Sequence, residues 1–112
     1  MRHAHVAAGW LLVAALVWVS LTPAPPKLDF EAGDKVGHLL GYGLLMFWFA
    51  QLYAARAARL AYAALFVLMG VTLEFVQGQL GYRTYEVFDM LANTAGVLLG
   101  WAAALASPRV LR

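Results

Sequence analysis

Four apolar runs of helical length, separated by short polar connections, constrain this 112-residue chain more than any other feature. They cover roughly residues 6–22, 35–54, 60–79 and 87–106. A helix rises ~1.5 Å per residue, so about twenty apolar residues cross a ~30 Å hydrocarbon core. With 63% hydrophobic and 12% charged residues, the composition lies far from that of soluble domains. We therefore expect an all-α integral membrane protein, a four-helix bundle with short loops and a single domain over residues 1–112.

Prolines mark the end of the first run. Pro23, Pro25 and Pro26 follow it, and proline ends a helix because it lacks the backbone donor and clashes with the preceding turn. A secretory signal is the alternative for this run, with Arg2 as its basic end. Pro23 stands directly after the only candidate cleavage site, residues 20–22, so we expect a first spanning helix.

Charged residues divide between the two sides that four alternating helices define. One side has no acidic residue, and its basic residues are Arg2, Arg56, Arg59, Arg109 and Arg112. The other side holds all six acidic residues together with Lys27, Lys35 and Arg83. The positive-inside rule then places both termini and the second connection in the cytoplasm.

The stretch 34–42 opens the second run with an acid, a base, an imidazole and a phenol. Asp34 is suited to cap the helix N-terminus. Asp34, His38 and Tyr42 follow one another at four-residue spacing and so share one helical face. In the expected topology, His38 lies about one turn and Tyr42 about two turns inside the outer surface. The second helix thus has a polar entrance on the outer side.

Two further helices bring polar side chains to the same depth. Glu74 and Gln77 lie near the outer end of the third helix. Asp89 and Asn93 lie in the first two turns of the fourth. The ~1.5 Å rise per residue puts this layer roughly 5 to 10 Å deep. We expect a pocket with three helical walls, in which His38, Glu74 and Asp89 lie near one another.

Small residues continue the polar face of the fourth helix. Gly96 and Gly100 fall in one stripe with Asp89 and Asn93. Small-xxx-small spacing lets another helix backbone approach closely. Gly96 and Gly100 are therefore candidates for contact in a homo-oligomer or a larger membrane complex.

The two acids of this layer need partners. A charged side chain deep in a bilayer costs ~2.5 to 3.5 kcal/mol and usually pairs inside the bundle. The candidate partners are Lys35, Arg83 and His38. One interpretation is a paired polar plug that only fixes the helix register. The other is a functional site, since a histidine near two acids at this depth suits proton transfer, a phosphate contact or a metal ligand.

Nine residues make up the expected ligand-binding site: Asp34, Lys35, His38, Tyr42, Glu74, Gln77, Arg83, Asp89 and Asn93. The candidate catalytic residues are His38, Glu74 and Asp89. The chain has no cysteine and no His-x-x-Glu-His type motif, so we assign no metal ligands and expect no cofactor. Its formal net charge of +2 does not suggest nucleic acid as a partner.

The same residues resemble the pattern of the VanZ-like membrane proteins, a family named for an accessory glycopeptide (teicoplanin) resistance protein. The resemblance covers roughly residues 34–100, as Asp34-Lys35-x-x-His38-x-x-x-Tyr42-x-x-Leu45, Glu74-x-x-Gln77, and then Arg83, Asp89, Asn93, Gly96 and Gly100. It implies a multi-pass protein of the bacterial cytoplasmic (inner) membrane that is connected with the cell envelope. It implies no particular reaction.

Three functions remain as hypotheses. The first is binding of an anionic membrane lipid or a lipid-linked cell-envelope precursor, because basic side chains at headgroup depth recognise phosphate. The second is a membrane-embedded hydrolase or transferase that acts on such a lipid through acid–base or metal-assisted chemistry. The third is a non-catalytic accessory or assembly subunit.

Overall fold

The computed structural model describes residues 2–22, 33–80 and 87–111, without the side chains of Gly33, Asp34 and Val87. Four helices account for nearly all of these residues: α1 (Arg2–Leu21), α2 (Gly33–Leu52), α3 (Arg56–Leu80) and α4 (Val87–Ala106). The described part of the chain contains no strand. The predicted all-α class and the four predicted helices are confirmed.

Two helices begin earlier than the apolar runs suggested. α1 begins at Arg2 rather than near residue 6, and α3 begins at Arg56 rather than near residue 60. Both added segments consist of arginine, histidine and alanine and contain neither glycine nor proline, so nothing in them opposes a helix. The apolar run therefore predicts only the apolar part of each helix. The helix itself begins about one turn earlier, in a charged segment.

Contacts along the helices show that neighbours in sequence run in opposite directions. Arg2 of α1 bonds to Leu52 at the end of α2, and Arg59 at the start of α3 bonds to Ala50 of α2. The start of α1, the end of α2, the start of α3 and the segment after α4 therefore lie together at one end, here called the terminal end. The end of α1, the start of α2, the end of α3 and the start of α4 lie at the other end, here called the connection end.

Helix α2 lies at the centre of the bundle. It contacts α1, α3 and α4, and its contact with α4 is the most extensive of all the pairs. Three helices are long and apolar enough to cross a membrane by length and composition: Arg2–Leu21, Arg56–Leu80 and Phe88–Ala106. The described part of α2 does not reach that apolar level, because it includes Lys35, His38 and Gln51.

Glycines bring α2 and α4 into backbone contact, and these two helices run parallel. A Cβ atom added to Gly43 would lie 3.3 Å from the carbonyl oxygen of Gly96, and one added to Gly96 would lie 2.5 Å from that of Leu39. A Cβ atom added to Gly100 would press on the backbone carbonyl of Gly43 and would lie 3.0 Å from the backbone nitrogen of Phe47. The predicted small-residue stripe is thus used within the chain, where α2 covers it. Contact between copies through Gly96 and Gly100 stays a prediction.

Aromatic rings fill the half of the bundle nearest the terminal end. Phe49 of α2 is fully buried, with ring centroids of Tyr62 and Phe66 on α3 at 4.8 and 5.1 Å and that of Trp10 on α1 at 5.3 Å. Offset and edge-to-face rings at these separations add to packing beyond their buried area. This cluster joins α1, α2 and α3, while the glycines join α2 and α4.

Three arginines from separate parts of the chain satisfy the last carbonyl groups of α2. Arg59 donates to Ala50 O at 2.7 Å and to Tyr53 O at 3.1 Å. Arg109 donates to Gln51 O and Leu52 O, both at 2.8 Å, and Arg2 also donates to Leu52 O, at 3.1 Å. The final carbonyls of a helix have no partner within it and carry partial negative charge. From the sequence, these arginines indicated only the topology. In the structure they also stabilise the central helix.

The side chain of Gln51 fastens the segment after α4 to the end of α2. Gln51 is fully buried. It donates to Pro108 O at 3.1 Å, and its Oε1 accepts from the backbone nitrogens of Val110 and Leu111 at 2.7 and 3.3 Å. Residues 107–111 are thus held although they have no helical structure of their own.

We expect Gln51→Leu to release this segment. Each hydrogen bond contributes about 1 kcal/mol net, so losing two or three should raise the open population of the segment about ten-fold or more. Trypsin cleavage after Arg109, followed by intact-mass spectrometry in mild detergent, measures that change. Gln79→Leu is the matched control, because Gln79 is exposed near the far end of α3. Equal cleavage rates in the two variants would show that Gln51 does not hold the segment.

Candidate functional site

Asp89 in the first turn of α4 is the centre of a charged group at the connection end. Its Oδ1 lies 3.7 Å from Nζ of Lys35, and its Oδ2 lies 3.9 Å from Nε2 of His38. The Asp89 side chain is 11% exposed, against 39% for Lys35 and 21% for His38. The acid is therefore the inner member of the group, and the two basic side chains from α2 form its more accessible edge.

Asn93 fixes the orientation of the His38 ring. Its Oδ1 lies 2.8 Å from Nδ1 of His38, so Nδ1 carries a proton and donates it when the amide oxygen faces the ring. Asn93 is buried and lies four residues after Asp89, on the same face of α4. Its bond to Nδ1 directs the other ring nitrogen, Nε2, toward the carboxylate of Asp89. The predicted convergence of α2 and α4 at this depth is confirmed for His38, Asp89 and Asn93.

Glu74 brings α3 to the same level. It is 1% exposed, and its carboxyl group interacts electrostatically with the buried phenol of Tyr42 on α2. Gly70, one turn earlier, packs on Asn93, since a Cβ atom there would lie 2.8 Å from Nδ2 of Asn93. Because α3 and α4 run in opposite directions, Glu74 and Asp89 both lie about 6 Å closer to the connection end than this contact. The shared depth of His38, Glu74 and Asp89 agrees with the sequence prediction.

Gln77 bonds to a helix that the prediction did not include. Its Nε2 donates to the backbone carbonyl of Ser20 on α1 at 2.7 Å, and both residues are buried. The spacing of Glu74 and Gln77 predicted one shared wall, and they do share a face of α3. Their described partners differ, however, because Gln77 fastens α3 to α1 while Glu74 faces Tyr42 of α2.

Two of the predicted site residues are not tested by this geometry. The side chain of Asp34 and the whole of Arg83 lie outside the described residues. Of the other seven, six lie where α2, α3 and α4 meet: Lys35, His38, Tyr42, Glu74, Asp89 and Asn93. Gln77 is the exception, with its hydrogen bond to α1.

Two neighbours of the site, Gly70 and Ser20, were not predicted from the sequence. Gly70 leaves room for Asn93 between α3 and α4, and its four-residue spacing to Glu74 was a signal for a shared face. Ser20 contributes a backbone carbonyl, and every residue has one, so no sequence signal could have singled it out.

The arrangement combines hydrogen-bond donors, an acid and a histidine whose ring orientation is fixed by Asn93, all at one level of the bundle. Lys35 can donate to an anion at the accessible edge, and His38 can do so through Nε2 once both ring nitrogens are protonated. Asp89 and Asn93 hold these side chains from inside. Within residues 2–22, 33–80 and 87–111, no three histidine or acidic side chains are grouped closely enough to hold a metal ion. The described side chains suit anion recognition or proton transfer.

Comparison with known proteins gives two similarities. The VanZ/LLP1 family model matches residues 6–108. Uncharacterized protein C11E3.10 of Schizosaccharomyces pombe is 38% identical over 77 residues, which are 66% of this chain and 48% of that protein. The match thus spans about half the length of that relative. No solved structure matches the chain.

Proposed function

This chain belongs to the VanZ/LLP1 family, and on that premise we propose that it binds the phosphate group of a membrane lipid or of a lipid-linked cell-envelope precursor. The proposed site is the accessible edge formed by Lys35 and His38 over Asp89. The Schizosaccharomyces pombe relative is an uncharacterized protein, and the match covers 48% of it. It therefore suggests no ligand. The proposal rests on the chemistry of the side chains.

One observation carries the proposal: two basic side chains are held beside a buried carboxylate at the end of a bundle of apolar helices. Lys35 and His38 lie 3.7 and 3.9 Å from the two oxygens of Asp89. These separations exceed those of short charge-assisted hydrogen bonds, which are ~2.7 to 2.9 Å. The Lys35 side chain, which is 39% exposed, can therefore reach a phosphate at this edge, beside the His38 ring that Asn93 holds in place. We expect Arg83 to add a further cation to this edge.

The distribution of charge supports a location of the site on the outer side of the membrane. The terminal end carries Arg2, Arg56, Arg59 and Arg109, whereas Glu74 and Asp89 lie toward the connection end. By the positive-inside rule the terminal end faces the cytoplasm. We therefore propose that this is a multi-pass protein of the bacterial cytoplasmic membrane. Its phosphate site would lie at the outer leaflet, where lipid-linked envelope precursors are used.

We expect Lys35→Gln to reduce retention of a polyprenyl phosphate about five-fold, since one basic residue near a membrane surface contributes ~1 kcal/mol toward an anionic lipid. Native mass spectrometry from mild detergent measures the bound fraction, with the uncharged polyprenol as the ligand control. Arg2→Gln makes the same charge change at the terminal end, where Arg2 donates to Leu52 O, and should leave retention within about two-fold of wild type.

Equal retention by Lys35→Gln and the wild-type protein would contradict the proposal, and so would equal binding of phosphate and polyprenol. If Lys35→Gln also lowered the melting temperature, the charged group would instead be a stabilising plug. A non-catalytic accessory or assembly subunit would then be the better description of the protein.

A second candidate function is hydrolysis of the phosphate linkage of such a lipid, and the orientation of His38 favours it. With Nδ1 bound to Asn93, Nε2 is the ring nitrogen left to accept a proton from water, and Asp89 can stabilise the resulting imidazolium. Release of inorganic phosphate from a polyprenyl diphosphate by purified protein tests this function. Activity that persists in His38→Gln would exclude His38 as the base.

A further inference from the structure

A second site lies at the opposite end of the molecule, in a cavity of about 460 Å³ between the start of α3 and the end of α4. Ala54, Arg56, Arg59, Trp101 and Leu105 line it. Its volume falls within the ~300 to 1,000 Å³ typical of small-ligand sites. Two guanidinium groups form part of its wall and an indole and a leucine another part, so the cavity is amphipathic.

The charge of this cavity is not balanced by its own lining. None of its five lining residues is acidic. Arg56 is exposed and makes no hydrogen bond or ion pair with the described residues. Arg59 donates through Nε and Nη2 to carbonyl groups at the end of α2, which holds its guanidinium in place and leaves Nη1 for another acceptor. One fixed and one adjustable arginine are together suited to grip the oxygens of a phosphate.

The apolar wall of the cavity is suited to the apolar part of a lipid. Leu105 is 68% exposed, and Leu60, beside Arg59 in sequence, is 51% exposed. Apolar side chains this open at the end of a membrane helix are suited to contact acyl chains. Tryptophan is enriched at the boundary between headgroups and hydrocarbon, and Trp101 lines the cavity near the end of α4.

We propose that this cavity binds the phosphate headgroup of an anionic glycerophospholipid in the leaflet at the terminal end, with Arg56 and Arg59 on the phosphate and Trp101 and Leu105 along the lipid's apolar part. This site is separate from the one around Asp89, because the two lie at opposite ends of the bundle. It would give the protein a lipid-dependent contact at the end where its termini meet.

Native mass spectrometry with phosphatidylglycerol tests the proposal. All proteins carry Lys35→Gln, so that binding at the connection end contributes as little as possible. We expect added Arg56→Gln to lower phosphatidylglycerol retention about five-fold. Arg2→Gln is the charge-matched control at the same end, because Arg2 donates to Leu52 O and stacks on Tyr53 rather than lining the cavity. It should retain the lipid within about two-fold of its parent.

Two further ligands identify the source of the phosphate. Phosphatidylcholine should be retained less than phosphatidylglycerol, and soluble glycerol 3-phosphate at equal concentration should not displace the lipid. Full displacement by glycerol 3-phosphate would overturn the lipid assignment. Equal retention by Arg56→Gln and its parent, or an equal loss in Arg2→Gln and Arg56→Gln, would overturn the site itself.

Discussion

Gly100→Ala is expected to lower the free energy of unfolding by about 2 to 3 kcal/mol, near the upper part of the range for overpacking. The added methyl group would press on backbone atoms of Gly43 and Phe47. Backbone cannot rotate away as a flexible side chain can, so α2 and α4 would have to separate. That separation would also disturb the contacts of Lys35 and His38 with Asp89, because the same two helices carry them. Thermal unfolding in mild detergent, followed by circular dichroism, measures the loss.

Gly37→Ala is the matched control on the same pair of helices. A Cβ atom at Gly37 would meet nothing within 4 Å, and alanine is favoured over glycine in a helix by about 0.5 to 1 kcal/mol. Gly37→Ala should therefore leave stability unchanged or raise it slightly. Similar melting temperatures for the two variants would mean that α2 and α4 are not in the close backbone contact described above.

Asp89→Ala is expected to cost about 2 kcal/mol and to abolish binding at the connection end. Breaking a buried ion pair by removing one partner costs about 3 to 5 kcal/mol when the other charge stays buried. Here the cost is smaller, because the Lys35 side chain is 39% exposed and can move toward solvent. Once it moves, Lys35 no longer lies beside His38, so a phosphate loses its paired donors.

Asp89→Asn separates the role of the charge from that of the side chain's volume. The amide fills nearly the same space and can still accept a hydrogen bond from Lys35, so we expect it to cost about 1 kcal/mol. Urea unfolding and native mass spectrometry with a polyprenyl phosphate should be measured on both variants. If Asp89→Ala were as stable as wild type and still bound the phosphate, Asp89 would not organise the site.

Much of the candidate site could be predicted because depth in a membrane helix depends only on sequence position. The rise per residue is constant, so the distances of His38, Glu74 and Asp89 from their helix ends put them in one layer. The face of each helix follows from its 3.6-residue period, which correctly grouped Asp89 with Asn93. Which helix a face meets is not local information. That is why Gln77 was assigned to the wall beside Glu74, although its bond goes to Ser20 of α1.

The arginines of the terminal end also separate what the sequence could predict from what it could not. Their number and position predicted which ends of the helices lie together, because that inference needs only the order of charges and apolar runs. Their hydrogen bonds to the last carbonyls of α2 depend on where α1, α3 and the segment after α4 come to lie. No spacing in the sequence encodes those distances.

The sequence by itself determined four helices, their alternating directions, and a polar layer near one end, because length, hydropathy and helical period are properties of each segment alone. Only the tertiary structure decided that α2 is central, that the glycines of α4 lie on the parallel helix α2, and that His38 bridges Asp89 and Asn93. The physical reason is that apolar faces of helices are interchangeable in hydropathy. Their pairing is selected by side-chain shape, close backbone approach and hydrogen-bond geometry, which exist only once the helices are packed.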